Sequence, residues 1–166
     1  METPQERLLR YLDDAHALEV GIEDMLRSAV DRTNNVQAKT AFQEHLAVTQ
    51  NQAQRLEQRL ISLGGRTSGG KGILNSIIGK VSDLVNIGHD EFDKTTQDLI
   101  KAYSTEHLEV GMYTSLKAYA EQLGDSETAA LAERAIGEEK EAADTLFPLI
   151  AETAKAAVLG ASVPAS

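Results

Sequence analysis

Four glutamates of this sequence occupy positions where the spacing of apolar residues predicts the buried side of a helix. Two of them, Glu106 and Glu109, lie on one stripe at three- and four-residue steps within residues 99–123. The tetrapeptide Leu-Glu-Val-Gly that contains Glu109 also occurs ninety positions earlier, where its carboxylate is Glu19. The fourth, Glu139, falls on the apolar stripe of the last helical segment, which also contains Leu131, Ala135, Ala142, Leu146 and Ile150. The other charged residues from Glu138 to Glu141 are predicted to form a solvated helix face. Carboxylates on several buried stripes indicate a site rather than a surface.

Carboxylates that converge in an apolar core have few stable arrangements. If all four were ionised and unpaired, their repulsion and lost hydration would strongly destabilise the fold. Either some of them stay protonated, or a divalent or trivalent cation lies among them. Carboxylate oxygens with histidine suit iron or manganese, whereas carboxylates alone also suit manganese, magnesium or calcium. The remaining alternative is a rotated stripe, in which the glutamates face solvent as helical glutamates usually do.

Five further side chains fall near these carboxylates in the pattern and are candidates for weaker ligands or for groups that orient the ligands. They are His16, His45, Thr49, Gln52 and Tyr113. Three of them, His45, Thr49 and Gln52, share the stripe of the second predicted helix, whose centre is therefore unusually polar. His16 lies about one turn before Glu19 and is equally well explained as a surface residue.

Four long helices are predicted to carry these residues. Thr3, Pro4 and Glu6 are typical of a helix start, since they supply a cap, a proline in the first turn and an acid three residues after the cap. Gly64-Gly65 is typical of a helix end. The predicted helices span about residues 4–32, 36–63, 90–123 and 126–158, the third beginning at Asp90 or Glu91.

The lengths of the connections predict how the helices are arranged. Short turns near Asn34 and Gly124 make two antiparallel hairpins, and a long crossover over residues 64–90, with one short helix, joins them. This pattern predicts an all-α, antiparallel four-helix bundle in a single domain over residues 1–159, followed by a flexible tail at 160–166.

Counting outward from the two turns tests whether the polar positions share one depth in the bundle. Four mid-helix positions each lie about fifteen residues from their turn: Glu19, Thr49, Glu109 and Glu139. Isolated polar residues scattered along the helices would not coincide in this way. The shared level therefore favours a metal site over solvent-facing glutamates.

Composition excludes several classes of function. With 16 basic against 26 acidic residues, a net charge of −10 and 4% aromatic residues, the chain is unsuited to binding nucleic acid. The absence of cysteine excludes disulfides, thiolate metal sites and cysteine nucleophiles. No apolar run of about 18 residues and no apolar leader are present, so we expect a cytoplasmic protein without a membrane partner.

One segment suggests a partner. Within the crossover, residues 73–85 carry a distinct apolar face, which would promote association with other molecules if left exposed. This face either packs on its own bundle or supports a second copy, and we expect a homodimer. A different protein partner is the alternative, since the acidic surface and the crossover helix would suit one.

The segments that flank the candidate ligands resemble the ferritin-like superfamily, and more closely the bacterial YciF-like family of stress-associated, ferritin-like proteins. The resemblance covers residues 7–157 and is carried by YLDDAHALE at 11–19, EHL at 44–46, EHLE at 106–109 and EEK at 138–140. In ferritin-like proteins, a carboxylate on the first and third helices and a Glu-x-x-His on the second and fourth hold two iron ions. The resemblance implies a dimetal-carboxylate bundle linked to stress or to iron and oxidant handling; as an enzyme it would be an oxidoreductase of ferroxidase type.

Carried over by position, the resemblance implies roles for the four glutamates. Glu19 matches the ligand of the first helix, and Glu109 or Glu106 matches that of the third. Glu139 matches the carboxylate of the fourth helix, which commonly bridges the metals.

The second and fourth helices depart from the family pattern. Val48 and Gln52 stand where relatives carry glutamate and histidine, and Ala142 follows Glu139 where a histidine would stand. We therefore expect a partly degraded site holding one or two ions of iron or manganese. The alternative is a non-enzymatic structural or partner-binding protein that has lost the metal site.

Overall fold

The structure, a computed structural model, describes residues 2–68 and 93–161. Within those ranges the chain forms four long α-helices and no strand. They are α1 (Pro4–Arg32), α2 (Val36–Ser62), α3 (Lys94–Gln122) and α4 (Ser126–Ala161). Among these helices none combines the length and apolarity that crossing a bilayer requires. The predicted all-α class and its four helices are confirmed.

The helix starts follow the predicted capping chemistry. Before α1, the N–H of Glu6 donates to the Thr3 hydroxyl at 3.2 Å, and the N–H of Thr3 donates to the Glu6 carboxylate at 2.7 Å. Before α2, the N–H of Ala38 donates to the Asn35 side-chain oxygen at 2.9 Å. These bonds satisfy N–H groups that have no acceptor within the helix, and so fix where each helix begins.

Glycines end α2 and α3 in the same way. Gly64 and Gly124 have φ angles of +79° and +74°, a conformation that glycine adopts without a steric cost. The N–H of the next residue then donates back into the last helical turn. Gly65 donates to the Leu60 carbonyl at 2.9 Å, and Asp125 donates to the Ala120 carbonyl at 2.9 Å. This closure satisfies helix-end carbonyls and sends the chain into its next segment.

Several predicted features lie outside the described residues. The crossover beyond residue 68, its short helix and the apolar face at 73–85 are among them, as is the predicted start of the third helix near residue 90. α4 continues to Ala161, past the predicted end near residue 158. The rest of the predicted tail, residues 162–166, also lies outside the described residues.

The predicted buried stripe of α4 is only partly correct. Leu131 and Ala142 are half-buried, whereas Ala132 and Ala143, one position later in each case, are buried. α4 packs against both α3 and α2. Its buried face is therefore turned and widened to meet two neighbours, and a stripe one residue wide does not describe it.

The four helices form an antiparallel bundle in which α1 contacts α2 and α3, while α4 contacts α3 and α2. Two apolar clusters fill the core. One includes Leu8 and Leu60, and the other includes Leu26 and Phe42. Because the clusters lie toward opposite ends of the helices, the middle of the bundle is left to polar side chains.

Candidate metal centre

A layer of polar side chains crosses the bundle between the two apolar clusters. Glu19 of α1, Glu106 and Glu109 of α3 and Glu139 of α4 lie in this layer, and all four are fully buried. The predicted inward orientation of the four glutamates is therefore confirmed. The alternative in which they face solvent is wrong.

Four of the layer's side chains converge on a common point. His45, Glu106, Glu109 and Glu139 each offer a ligand atom, and these atoms all lie within 4.8 Å of one another. The Nε2 atom of His45 is 2.9 Å from the Glu106 carboxylate and 3.8 Å from the Glu139 carboxylate. A cation placed among them would be within reach of oxygen and nitrogen ligands from three helices.

Most polar atoms at this point have no hydrogen-bond partner in the part of the chain that the structure describes. The unpaired atoms are both carboxylate oxygens of Glu106 and of Glu109, one oxygen each of Glu19 and Glu139, and both ring nitrogens of His45. Buried polar atoms are nearly always paired in native proteins. So many unpaired atoms at one place indicate a layer that requires protons or a cation to be satisfied.

The ionisation of the layer is strongly perturbed. Burial raises the pKa of Glu19 and of Glu106 to about 8, and that of Glu139 to about 9. Burial, followed by the charges of Glu19 and Glu139, raises the pKa of Glu109 well above its ordinary value. Burial also lowers the pKa of His45. Without a cation, the carboxyls are therefore mainly protonated at neutral pH and the imidazole is neutral, as metal ligation requires.

Neighbouring groups hold two of the carboxyls in place. The Tyr113 hydroxyl donates to Glu19, and the Gln52 amide donates to Glu139. Both residues are among the predicted weak ligands or ligand-orienting groups, and that role stays a prediction. Thr49 lies at the same level, but its hydroxyl donates to the His45 carbonyl of its own helix at 3.1 Å.

His16 and His45 were equal candidates by residue type, and the structure separates them. His45 is 5% exposed and belongs to the converging group. His16 is half-buried and does not belong to it. The position of His45 on the same stripe as Thr49 and Gln52 was the signal that distinguished it.

A charged group beside the layer differs from its predicted place on a solvated helix face. Glu138 is half-buried and pairs with Arg55 and Arg134, and no sequence signal indicated the pairing with Arg55. Glu138 also accepts a hydrogen bond from Gln52 at 3.1 Å. Although burial acts in the opposite direction, the two guanidinium groups lower the pKa of Glu138. This pairing keeps its charge separate from that of Glu139.

The converging side chains form a donor set that could hold a metal ion. One neutral imidazole and three carboxylates combine nitrogen and oxygen ligands. Gln52, whose amide donates to Glu139, and Val48, which is apolar, lie where the resemblance described above implies a histidine and a glutamate. The ligand roles of Glu19 and of the converging residues stay predictions.

Comparison with known proteins places this architecture among bacterial relatives. The sequence model of a family described as a domain of unknown function (DUF892) matches residues 3–159. Protein YciF from Escherichia coli strain K12 is 25% identical over 142 residues, which cover 84% of this chain and 86% of YciF.

Two solved structures share the fold over nearly their whole length. A protein from Xanthomonas campestris pv. campestris has a TM-score of 0.82 and 26% identity, and the match covers 97% of this chain and all of that one (100%). The Escherichia coli stress protein YciF has a TM-score of 0.80 and 24% identity, and the match covers 93% of this chain and 99% of that one. The bundle is therefore a fold that these proteins have in common.

Proposed function

The chain belongs to the DUF892 family, and we propose that its buried polar layer binds one divalent cation, iron or manganese. The observation that carries the proposal is the convergence of His45, Glu106, Glu109 and Glu139, whose ligand atoms lie within 4.8 Å of one another and are largely unpaired. A cation at this point would satisfy oxygens that the protein itself leaves without partners. Either metal would supply a redox-active centre for oxygen or peroxide.

Charge balance is compatible with a divalent cation in the layer. Three carboxylates and a neutral imidazole would carry a charge of about −3 if ionised, and a divalent cation offsets most of it. Binding would release protons from carboxyls whose pKa values burial has raised, so affinity should increase with pH. Glu19, held by Tyr113, would place a fourth carboxylate beside the ion.

The biological setting is part of the same proposal. The Escherichia coli relative is named a stress protein, which supports a role for this chain in stress. With the proposed metal bound, that role would extend to the handling of iron and oxidants. We also propose that the protein acts in the cytoplasm as a homodimer. The apolar sequence at 73–85 supports the dimer, and size-exclusion chromatography with light scattering would test it.

Metal analysis is the direct test. Chelator-stripped protein is loaded without oxygen with ferrous iron or with Mn²⁺, freed of excess metal and analysed for metal content. About one equivalent per chain is expected for the native sequence. Changing Glu109→Gln and Glu139→Gln together should abolish the bound metal. The matched control, Glu57→Gln with Glu152→Gln, changes two exposed carboxylates on α2 and α4 and should bind normally. Native protein that holds no more metal than the double core variant would overturn the proposal.

A second candidate is a structural protein that holds no metal. The observation that favours it is the Gln52 amide, which donates to Glu139 and so satisfies part of the layer without an ion. This candidate predicts that replacing all four core glutamates by glutamine leaves stability equal or higher even with Mn²⁺ present. A marked loss of Mn²⁺-dependent stability in that variant would count against it.

A further inference from the structure

A cavity opens on the surface between α2 and α4, directly outside the polar layer. Its volume is about 190 Å³, and its lining includes Glu44, His45, Val48, Glu141 and Ala142. A water molecule takes up about 30 Å³ in the liquid, so the cavity has room for about six waters. That is the size of a divalent cation with its first hydration shell.

His45 stands between this cavity and the buried carboxylates. It lines the cavity, yet only 5% of its surface is exposed and its Nε2 atom is 2.9 Å from Glu106 on the inner side. The Nδ1 atom is also buried, and it has no hydrogen-bond partner in the described residues. The imidazole therefore offers one unpaired nitrogen toward the carboxylates and keeps another unused.

The rim of the cavity carries free negative charge. Glu44 and Glu141 are exposed, and neither takes part in an ion pair within the described part of the chain. Glu138 also lines the cavity, but Arg55 and Arg134 already neutralise it. The attraction for a cation at this opening thus comes mainly from Glu44 and Glu141, with the wider acidic surface behind them.

We propose that this cavity is the path by which a hydrated divalent cation reaches the buried layer. Glu44 and Glu141 hold the ion at the mouth through its water shell, and His45 passes it to Glu106 and Glu139. Val48, half-buried and apolar, narrows the path beside the imidazole. The inference rests on the proposed metal binding, but it assigns a transient outer site to residues that the buried layer does not include.

The rate of Mn²⁺ uptake tests this assignment. Metal-free full-length protein is mixed rapidly with Mn²⁺, and the loss of the EPR signal of hydrated Mn²⁺ gives the loading rate. The double variant Glu44→Gln with Glu141→Gln should load about tenfold more slowly at low salt, because it lacks the charges that concentrate the cation. That difference should vanish in 1 M NaCl, where the Debye length is about 3 Å. Glu57→Gln with Glu152→Gln removes the same charge elsewhere on α2 and α4 and should load at the native rate.

A variant that narrows the cavity without changing any charge tests the path independently of electrostatic attraction. Val48→Phe fills the opening beside His45 and should slow loading at both salt concentrations. If Val48→Phe loses helical circular dichroism, Ala142→Leu on the opposite wall takes its place. If neither Val48→Phe nor Ala142→Leu folds, the double variant at Glu44 and Glu141, which changes only exposed side chains, still decides the test.

The outcomes distinguish the two proposals. If native protein takes up neither Mn²⁺ nor ferrous iron even after hours, the proposed metal binding fails and the path fails with it. If native protein binds Mn²⁺ but the Glu44 and Glu141 variant loads as fast as the control at low salt, only the path is overturned. The path is supported if the variant loads more slowly than native protein at low salt and the two load equally slowly at high salt, where the native protein loses its electrostatic advantage.

Discussion

The metal-free protein should lose stability steeply as the pH rises through neutrality. In the folded state the pKa values of Glu19, Glu106 and Glu139 are about 8, 8 and 9, whereas the ordinary value is 4.5. Between those limits the folded layer holds protons that the unfolded chain has already released. Because the folded state then binds more protons than the unfolded state, the free energy of unfolding falls as pH increases.

The size of the effect follows from the number of protons. At pH 7 the three carboxyls hold nearly three protons, each worth about 1.4 kcal/mol per pH unit, so the free energy of unfolding falls by about 4 kcal/mol per unit. At pH 8, where Glu19 and Glu106 are half ionised, the slope is about 3 kcal/mol per unit. His45 acts in the opposite sense, since its pKa is lowered, but it is neutral in both states above about pH 7. The slope should therefore be cleanest between about pH 7 and 8. A loss of this size is comparable with the whole stability of many domains, about 5–15 kcal/mol.

Urea unfolding followed by circular dichroism, at pH 7.0, 7.5 and 8.0 with a chelator present, measures this slope. The control carries glutamine in place of Glu19, Glu106, Glu109 and Glu139, and it retains all the acidic residues of the surface. The native slope should be steeper than that of the control by several kcal/mol per unit, and saturating Mn²⁺ should flatten it. Equal slopes in the two proteins would refute the reasoning, since the layer would then hold no excess protons.

Four further substitutions give three separate tests. His45→Ala should weaken Mn²⁺ binding about 100-fold in equilibrium dialysis while the metal-free protein stays folded, because it removes the imidazole ligand; unchanged affinity would remove His45 from the site. Tyr113→Phe removes the hydroxyl that donates to Glu19 and should cost about 1–3 kcal/mol in urea unfolding of the metal-free protein at pH 8; no cost would mean that another group replaces the bond. Gly124→Ala should destabilise by about 1 kcal/mol because its φ is +74°, whereas Gly111→Ala, in an open helical position, should stabilise by about 0.5–1 kcal/mol; the same sign for both changes would contradict the backbone argument.

The fold was predictable because its signals are local and redundant. Thr3 with Glu6 and Gly124 with Asp125 mark helix ends through short-range hydrogen bonds, which a sequence shows directly. The depth of the carboxylates was predictable for a similar reason. Once two antiparallel hairpins are fixed, equal counts from the turns place residues at one level.

The details of the site depended on contacts that no single helix encodes. The pairing of Arg55 with Glu138 joins α2 to α4, and from the sequence alone Glu138 was indistinguishable from a solvated acid. His45 was placed on the correct stripe, but its central position arises because α2 turns its imidazole toward Glu106. The direction of a side chain around a helix is set by packing against its neighbours, and a stripe predicts it only to within a residue, as Ala132 and Ala143 show.

The depth of the layer has a consequence for its electrostatics. Each of the four glutamates lies twelve or more residues from either end of its helix, which is about 18 Å of helix. The positive end of a helix macrodipole stabilises anions only within its first turn, and adjacent antiparallel helices oppose one another's dipoles. The backbone therefore offers these carboxylates no compensating charge. Neutralising them is left to a proton or to an ion that comes in from the solvent.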